Sequence, residues 1–567
     1  MKMRMSAAAL TAAMLSVFLF GGGAHAALIV STGATSNVTC SSGVCTATAQ
    51  NAVLNVRDLE RSLAHGDTTL ASGSTAQDIE FDTPAHWTSA QRLTLDSYHA
   101  ITFTQPVTSE GTGGLTIETD DGGTGGDFYF SGKGRVAFWD TSSSLIINGN
   151  SYALVSNVAA LAAGIAANSS GRFAFANNYN ASVDGAYSQS PVSTEFTGTF
   201  EGLGNSISHL TINGCCGLFD TVGDTDANGT LRDVILFNET VKASSGDVGG
   251  LVGTTYGNVI GASTIGGSVM FTGEFSAVGG LIGFLDSDIG STHVGTAIRS
   301  HSSARVSCRD RCSVGGLVGA MELSASVKQS SASGAVHAGN NANAGGLVGG
   351  DEYYLAAITL SFATGSVSVG NAMDGKNGNL TATAGGLIGY NGGLINESYA
   401  TGAVSGGSGM RIATNHVSIG GLVGWADSNG TGAKSSIRRS YARGAAAVGD
   451  QGYVGGLAGT GPVRFTPQCY STGMVSVTAG TSEIGGFVGH DTSSGFETAF
   501  DYWDMDTSGV SDPSKGAGNA PNDPGITGLT TAQLQSGLPT GFDSTVWIES
   551  SGINNGLPYL QSLPPSQ

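Results

Sequence analysis

One pentapeptide, in eight near-copies, governs the second half of this 567-residue chain. It reads GGLVG from Gly249, GGLIG from Gly279, GGLVG from Gly315 and Gly345, and GGLIG from Gly385. GGLVG from Gly420, GGLAG from Gly455 and GGFVG from Gly485 follow, the starts lying 30, 36, 30, 40, 35, 35 and 30 residues apart. A second phrase alternates with it: SSASGAV ending at Val336, SFATGSV at Val367, SYATGAV at Val404, SYARGAA at Ala446 and CYSTGMV at Val475. Two signals in fixed alternation define a repeat array, in which each unit buries its apolar face on the next.

Within Val278-Gly279-Gly280-Leu281-Ile282-Gly283, glycines bracket two aliphatics. Glycine permits positive φ and close backbone approach, which suits a corner where coils stack without room for Cβ. The aliphatics supply an inward column, and the alternating Ile395 to Ala400 reads as the next strand. The pattern predicts an all-β fold, a parallel β-helix (β-solenoid) with small terminal caps and three short strands per repeat. Eight coils at about 4.8 Å would span roughly 40 Å, a rod.

The chain divides into five stretches. Residues 1–26 read as a secretory signal peptide, with Lys2 and Arg4 before the apolar run Ala7 to Phe20 and small residues at Ala24 and Ala26. Residues 27–150 are an N-terminal cap and first coils: alternation at 92–96, 100–104 and 114–119 predicts strands, and Val56, Leu59 and Leu63 share one helical face. Residues 151–245 continue the solenoid with a short helix, Val158 to Ala167, outside the stack. Residues 246–499 are the eight repeats, and 500–567 form a tail that covers the last open edge, with Thr530 as a helix N-cap.

Hydrophobic residues at 40% supply a core, so the low charged content, 12%, does not mean disorder. A formal charge of −20 repels phosphate backbones and argues against a nucleic-acid partner. No segment after the signal is long and apolar enough to span a membrane. Export makes disulfides Cys40–Cys45 and Cys308–Cys312 plausible, with an odd thiol left over. Their spacing does not match a zinc site.

GGLVG followed by SYATGAV resembles the GLUG-motif repeat proteins, bacterial exported proteins named for that pentapeptide. Phe196 to Asn205 is similar to the segment that precedes such repeats in filamentous-haemagglutinin-like adhesins. Tyr502-Trp503-Asp504, Leu529 to Gln533 and Pro558-Tyr559-Leu560 resemble the end of such proteins. The likeness covers roughly residues 90 to 560. It implies a right-handed β-helix that is secreted or held at the cell surface and acts in adhesion. It also implies a surface glycan or protein ligand and an outer-membrane secretion partner, although the Asn-Pro-Asn motif of partner-exported members is missing.

Catalytic and metal patterns are sparse. Gly122 to Phe130 matches one copy of a calcium nonapeptide, which binds only when copies stack. Asp504 to Gly509 resembles half an EF-hand loop, with Lys515 where a bidentate Glu is needed. No GxSxG or HExxH occurs, and His209 and His416 read as strand surface. Asp351-Glu352-Tyr353-Tyr354 is the best acidic candidate for a β-helical polysaccharide lyase or hydrolase, yet acids do not recur in register with the repeats. Tyr399, Tyr441 and Tyr470 recur at matched places, either inward or as ligand-stacking rings. The reading is therefore an adhesin-like binding protein, not an enzyme, with no cofactor and no assigned catalytic, cofactor-binding or metal residue. A polysaccharide-processing enzyme and a passive structural rod are the alternatives.

Overall fold

The computed structural model describes residues 26–287, 294–351, 355–373, 381–410, 416–427, 435–462, 466–493 and 500–565. The expected signal peptide, apart from Ala26, lies outside the described residues, as do Glu352, Tyr353 and Tyr354. The chain forms two compact units, one ending at Tyr152 and one running from Ala153 to Pro565.

In the first unit three successive coils have three strands each. Asp78–Phe81, Ala85–Trp87 and Leu93–Asp96 make one coil; Ile101–Phe103, Pro106–Ser109 and Leu115–Glu118 lie parallel on it. Phe128–Phe130, Arg135–Phe138 and Leu145–Ile147 make the third. Exact register carries alternation from coil to coil, so Leu93, Leu115 and Leu145 form one buried column. Phe81, Phe103 and Phe130 stack beside it at centroid distances of 5.5 and 5.2 Å. The expected helix is Val56–Leu63, capped by Asn55, whose side chain accepts from Arg57 N. It buries Val56, Leu59 and Leu63 and follows directly on the edge strand Ala52–Asn55, protecting an edge otherwise open to pairing.

The second unit is a parallel β-helix too, and parallel crossovers of this kind are right-handed. Its repeating coil has five short segments rather than the expected three. One coil runs Thr296–Ile298, His301–Ser302, Arg305–Asp310, Ser313–Gly315 and Val318–Met321. Ser326–Lys328, Ser331–Ala332, Val336–Ala338, Asn343–Gly345 and Val348–Asp351 lie parallel on it, segment for segment. Each recurring phrase spans a bend rather than a strand: the second phrase turns the second segment into the third, and the pentapeptide turns the fourth into the fifth.

The pentapeptide glycines serve close approach only; none has positive φ. A Cβ on Gly315 would lie 1.9 Å from Val318 O, on Gly316 2.1 Å from Gly346 O, and on Gly319 2.3 Å from Val278 N. The corner folds back so tightly that backbone fills the space of three side chains. The Leu between them points inward: Leu251, Leu281, Leu317, Leu347, Leu387, Leu422 and Leu457 are fully buried. Each is worth about 1.5–3 kcal/mol. Their amides form a ladder, Leu317 N–H donating to Leu347 O at 2.9 Å and Leu347 N–H to Leu387 O at 2.8 Å. Positive φ falls elsewhere, on Asp233, Arg299, Gln329, Leu360, Glu397 and Arg439, at 47–52°. These six side chains differ, so the bend is imposed by the stack and not by residue type.

After each left-handed residue from Arg299 to Arg439 comes a buried serine. Ser300, Ser330 and Ser361 accept or donate in sequence: Ser300 N–H to Ser330 Oγ at 3.1 Å, Ser330 N–H to Ser361 Oγ at 3.1 Å, then Ser361 N–H to Ser398 Oγ at 3.2 Å. Ser398 N–H continues to Ser440 Oγ at 3.2 Å. Cys469, the odd thiol, takes the next position and is fully buried. The structure joins Cys40 to Cys45 and Cys308 to Cys312, and also pairs Cys215 with Cys216.

Two further expectations change. The helix Val158–Ala167 does not stand outside the stack: Val158, Leu161 and Ile165 belong to the same core as Phe173 and Phe196. The tail does two things. Residues 501–529 extend the last coil, with Asp501–Asp504 and Ile526–Leu529 as added strands and Phe487 N–H donating to Gly516 O at 3.0 Å. After the helix Thr531–Leu534, capped by the Thr530–Gln533 capping box, the chain turns back along the outside of the solenoid. There it packs on Tyr441 and Tyr470, the far end of a stack of rings, Phe362, Tyr399, Tyr441 and Tyr470, at centroid distances of 4.9, 4.9 and 5.1 Å. These tyrosines are neither inward nor available to a ligand. Ala400 and Ala442 take the inward positions, while Trp547 packs 6.1 Å from Tyr441 and 5.8 Å from Tyr470.

Candidate binding face

The pentapeptide corner sets two columns of residues beside each other in the second unit, of which Ala277, Gly350, Thr383, Ser418 and Thr460 are buried and the others half-buried. The first column is the residue directly after each pentapeptide: Thr254, Phe284, Ala320, Gly350, Tyr390, Trp425, Thr460 and His490, in unbroken register. The second lies two residues before it: Ala277, Ser313, Asn343, Thr383, Ser418, Tyr453 and Glu483, likewise in register. Asp247 holds the corresponding place one coil earlier. The frame between the columns is nearly constant, whereas the columns vary in size, polarity and charge. The corner therefore holds these flanking positions in register while their side chains change from coil to coil.

Where the first column falls to Ala320 and Gly350, a groove of about 230 Å³ opens, bordered by Phe284, Asp247, Arg311, Glu322 and Asn343. Arg311 lies over the exposed Phe275 ring at 5.3 Å and 3.5 Å from Glu274. Asn343 Oδ1 accepts from Thr383 Oγ1 at 2.8 Å, and Ser418 and Thr460 share a 2.8 Å hydrogen bond between the columns.

Over the next four coils Tyr390, Trp425, Tyr453 and His490 bring rings into the columns, and His416, two residues before Ser418, adds another. Tyr390 and Trp425 lie 6.4 Å apart, His416 stacks on Trp425 at 5.2 Å, Tyr453 lies 4.5 Å from His416, and His490 stacks on Tyr453 at 4.7 Å. All five are half-buried. Tyr390 donates to Asp427 Oδ2 at 3.0 Å, and His490 Nδ1 lies 2.7 Å from Glu483 Oε2. Burial, helped by neighbouring His490, pushes the His416 imidazole down to about 4, so it is neutral at ordinary pH. Burial first, then Glu483, raises the Tyr453 phenol.

The residues singled out from sequence are not brought together. Asp351 is fully buried and accepts from Gly392 N at 2.7 Å, a structural role. His209 sits in an exposed turn at φ 57°, while His416 is part of the aromatic row. Asp504 accepts from Asp506 N and from Thr531 Oγ1, pinning the tail helix. In the nonapeptide, Asp127 caps its own following amide and Asp120 accepts from Gly126 N. Cys215, Cys216 and Asp220 bring ligand atoms within 4.8 Å of one another, but the paired sulfurs are not free thiolates. The aromatic row was missed, although part of its signal was present: aligning the pentapeptides puts Tyr390, Trp425 and His490 directly after them and Tyr453 two residues before one, while His416 lies outside both columns.

Fold and face define a parallel β-solenoid with a variable outer strip. No family model matches this chain, and no solved structure matches it. It is similar to halomucin of Haloquadratum walsbyi, at 34% identity over 148 residues, which is 25% of this chain and 2% of halomucin. The matching stretch is thus a small fraction of that relative's length. Among the described residues, no helix is long and apolar enough to cross a membrane.

Proposed function

We propose that this protein is an exported, adhesin-like β-solenoid that binds cell-surface or extracellular ligands through many weak contacts along one face, without turnover. The observation that carries the reading is the pair of variable columns held in register by a constant corner. Contacts repeated from coil to coil add through effective concentration, so modest individual affinities become firm attachment. The acidic chain favours partners without dense negative charge. Its export rests on the first 26 residues and, by resemblance, on an outer-membrane secretion partner.

The test is retention of residues 27–567 on cell-surface preparations and a polysaccharide panel, with new sugar ends scored in the same wells. Retention without products is the expected result. Removal of successive whole coils weakens it by degrees. New sugar ends would replace this reading with a polysaccharide-processing enzyme, and the absence of any retention would leave a passive rod.

A further inference from the structure

We infer that the groove beside Phe284 holds one neutral sugar residue of a surface glycan, seated against that ring and hydrogen-bonded through its hydroxyls. This inference rests on the adhesin-like reading and names what one part of the face binds. The groove exists because two small residues follow a large one: Phe284 is in register with Ala320, and Ala320 with Gly350. A Cβ on Gly350 would meet nothing nearer than 3.6 Å. Later coils fill the same column with Tyr390 and Trp425, whose rings lie 6.4 Å apart. Phe284, by contrast, is half-buried, has no ring partner among the described residues and lines the cavity as an apolar wall.

Unspent hydrogen-bonding groups border that wall. Asp247 Oδ1 accepts from Ala277 N at 2.9 Å and from Ser276 Oγ at 3.4 Å, while its Oδ2 has no partner among the described residues. Asn343 Oδ1 is held by Thr383 Oγ1 at 2.8 Å, which leaves Asn343 Nδ2 unbonded among the same residues, as is Ser313 Oγ. Both of those atoms lie 3.6 Å from where a Cβ of Gly350 would stand, so they border the gap that the glycine leaves. Arg311 spends Nη1 on Glu274 at 3.5 Å and keeps its other guanidinium donors.

Donors, an acceptor and a hydroxyl set around one aromatic wall suit a polyol, because each sugar hydroxyl both donates and accepts. The volume of about 230 Å³ lies below the roughly 300–1,000 Å³ of pockets for drug-sized molecules, which fits a single ring. Charge separates the alternatives. Asp247 and Glu322 line the groove, and Arg311, its one lining cation among the described residues, already has Glu274 beside it. An acidic sugar or a phosphate would therefore meet an excess of like charge, on a chain of formal charge −20. An organic cation would suit the acids but leave Asn343 Nδ2 and the Arg311 donors desolvated without an acceptor, which costs affinity.

The experiment is saturation-transfer NMR of residues 27–567 with the methyl glycosides of glucose, galactose, mannose, N-acetylglucosamine and N-acetylgalactosamine. Galacturonate and choline are the anionic and cationic controls. Phe284→Ala and Gly350→Tyr are run beside the wild type, and thermal midpoints check the fold. Gly350→Tyr places in the groove the residue that the same column carries at Tyr390. The expected result is transfer to at least one neutral glycoside and none to either control. Phe284→Ala binds about tenfold more weakly, roughly one lost aromatic contact, and Gly350→Tyr abolishes binding while the protein stays folded.

Transfer to no neutral glycoside, transfer to galacturonate or choline alone, or undiminished binding by Phe284→Ala overturns the inference, whether or not Gly350→Tyr folds. The same proteins on cell-surface preparations separate the two readings. A wild type that holds cells but binds none of the glycosides sinks the sugar groove and leaves adhesion standing. A wild type that binds a glycoside but no cell preparation sinks adhesion and leaves the groove.

Discussion

Tyr470 donates its phenolic hydrogen to the carbonyl oxygen of Pro558, 2.6 Å away and 88 residues further along the chain. The same hydroxyl accepts from Asn554 Nδ2 at 2.9 Å, and Asn554 Oδ1 in turn receives Arg443. The returning tail is therefore fastened to the solenoid by a buried polar knot as well as by Trp547 and Phe542. Tyr441, one coil earlier and equally buried, has a hydroxyl with no partner among the described residues.

That contrast gives a paired test. Tyr470→Phe strips a donor from Pro558 O and an acceptor from Asn554, and should cost about 1–3 kcal/mol. Tyr441→Phe removes only an unsatisfied group and should be neutral or stabilising. Urea denaturation of both variants checks this, and equal losses would contradict the tail contact.

The corner glycines predict an equally sharp difference within one chain. Gly315→Ala drives its Cβ to 1.9 Å from Val318 O, while the nearest atoms to a Cβ on Gly350 are 3.6 Å away. Gly315→Ala should destabilise by several kcal/mol or prevent folding, in the range of a backbone clash. Gly350→Ala should leave the thermal midpoint within a few degrees. It also narrows the groove beside Phe284, so any ligand seated there would be lost without loss of fold.

The serine ladder makes Ser361 a hinge between neighbours: its hydroxyl donates to Thr359 O at 2.8 Å and accepts from Ser330 N at 3.1 Å. Ser361→Ala orphans a buried amide and should cost about 1–3 kcal/mol. Cys469 stands in the corresponding place, and burial raises its thiol well above the ordinary value. It should resist thiol reagents in the native state and react fully in denaturant, as counted by labelled mass. Native labelling would mean that the coil opens there.

Glu239 sets a pH dependence. It is fully buried between Gly250 and Gly267, its carboxyl oxygens have no hydrogen-bond partner among the described residues, and burial pushes it up to about 8. The folded protein thus keeps a proton that the unfolded chain, titrating near 4.5, gives up. Stability from this group is full below about pH 4.5 and is lost as pH rises through 8, on the order of a few kcal/mol in all. Glu239→Gln should raise the thermal midpoint at pH 8 and change it little at pH 4.5. A variant that tracks the wild type at both pH values would show that Glu239 is hydrated in the native state.

Much of this architecture is legible in one-dimensional terms because its causes are local or periodic. The Leu of each pentapeptide reads as an inward column, Asn55 precedes its helix, and Thr530 with Gln533 spells a capping box. Cys469 also stands in the phrase CYSTGMV at the place that SYATGAV gives to serine. The five-segment coil was hidden because two-residue strands such as Tyr399–Ala400 are too short to show alternation. The covered tyrosines were hidden for another reason. Nothing near Tyr470 in sequence says that Asn554 and Pro558 will lie on it, since that contact is made only after the tail reverses. The aromatic row lay between these cases, periodic but masked by the constant pentapeptide beside it.

The tight corner separates two kinds of information. Its three glycines and one leucine answer only to backbone and core, and they decide that a coil exists. The residue directly after the corner varies freely, as the run from Gly350 through Tyr390 to Trp425 shows. Duplicating a repeat therefore adds a blank socket of fixed geometry, and a single later substitution writes into it. Such a chain can change what it touches one rung at a time while its scaffold stays the same.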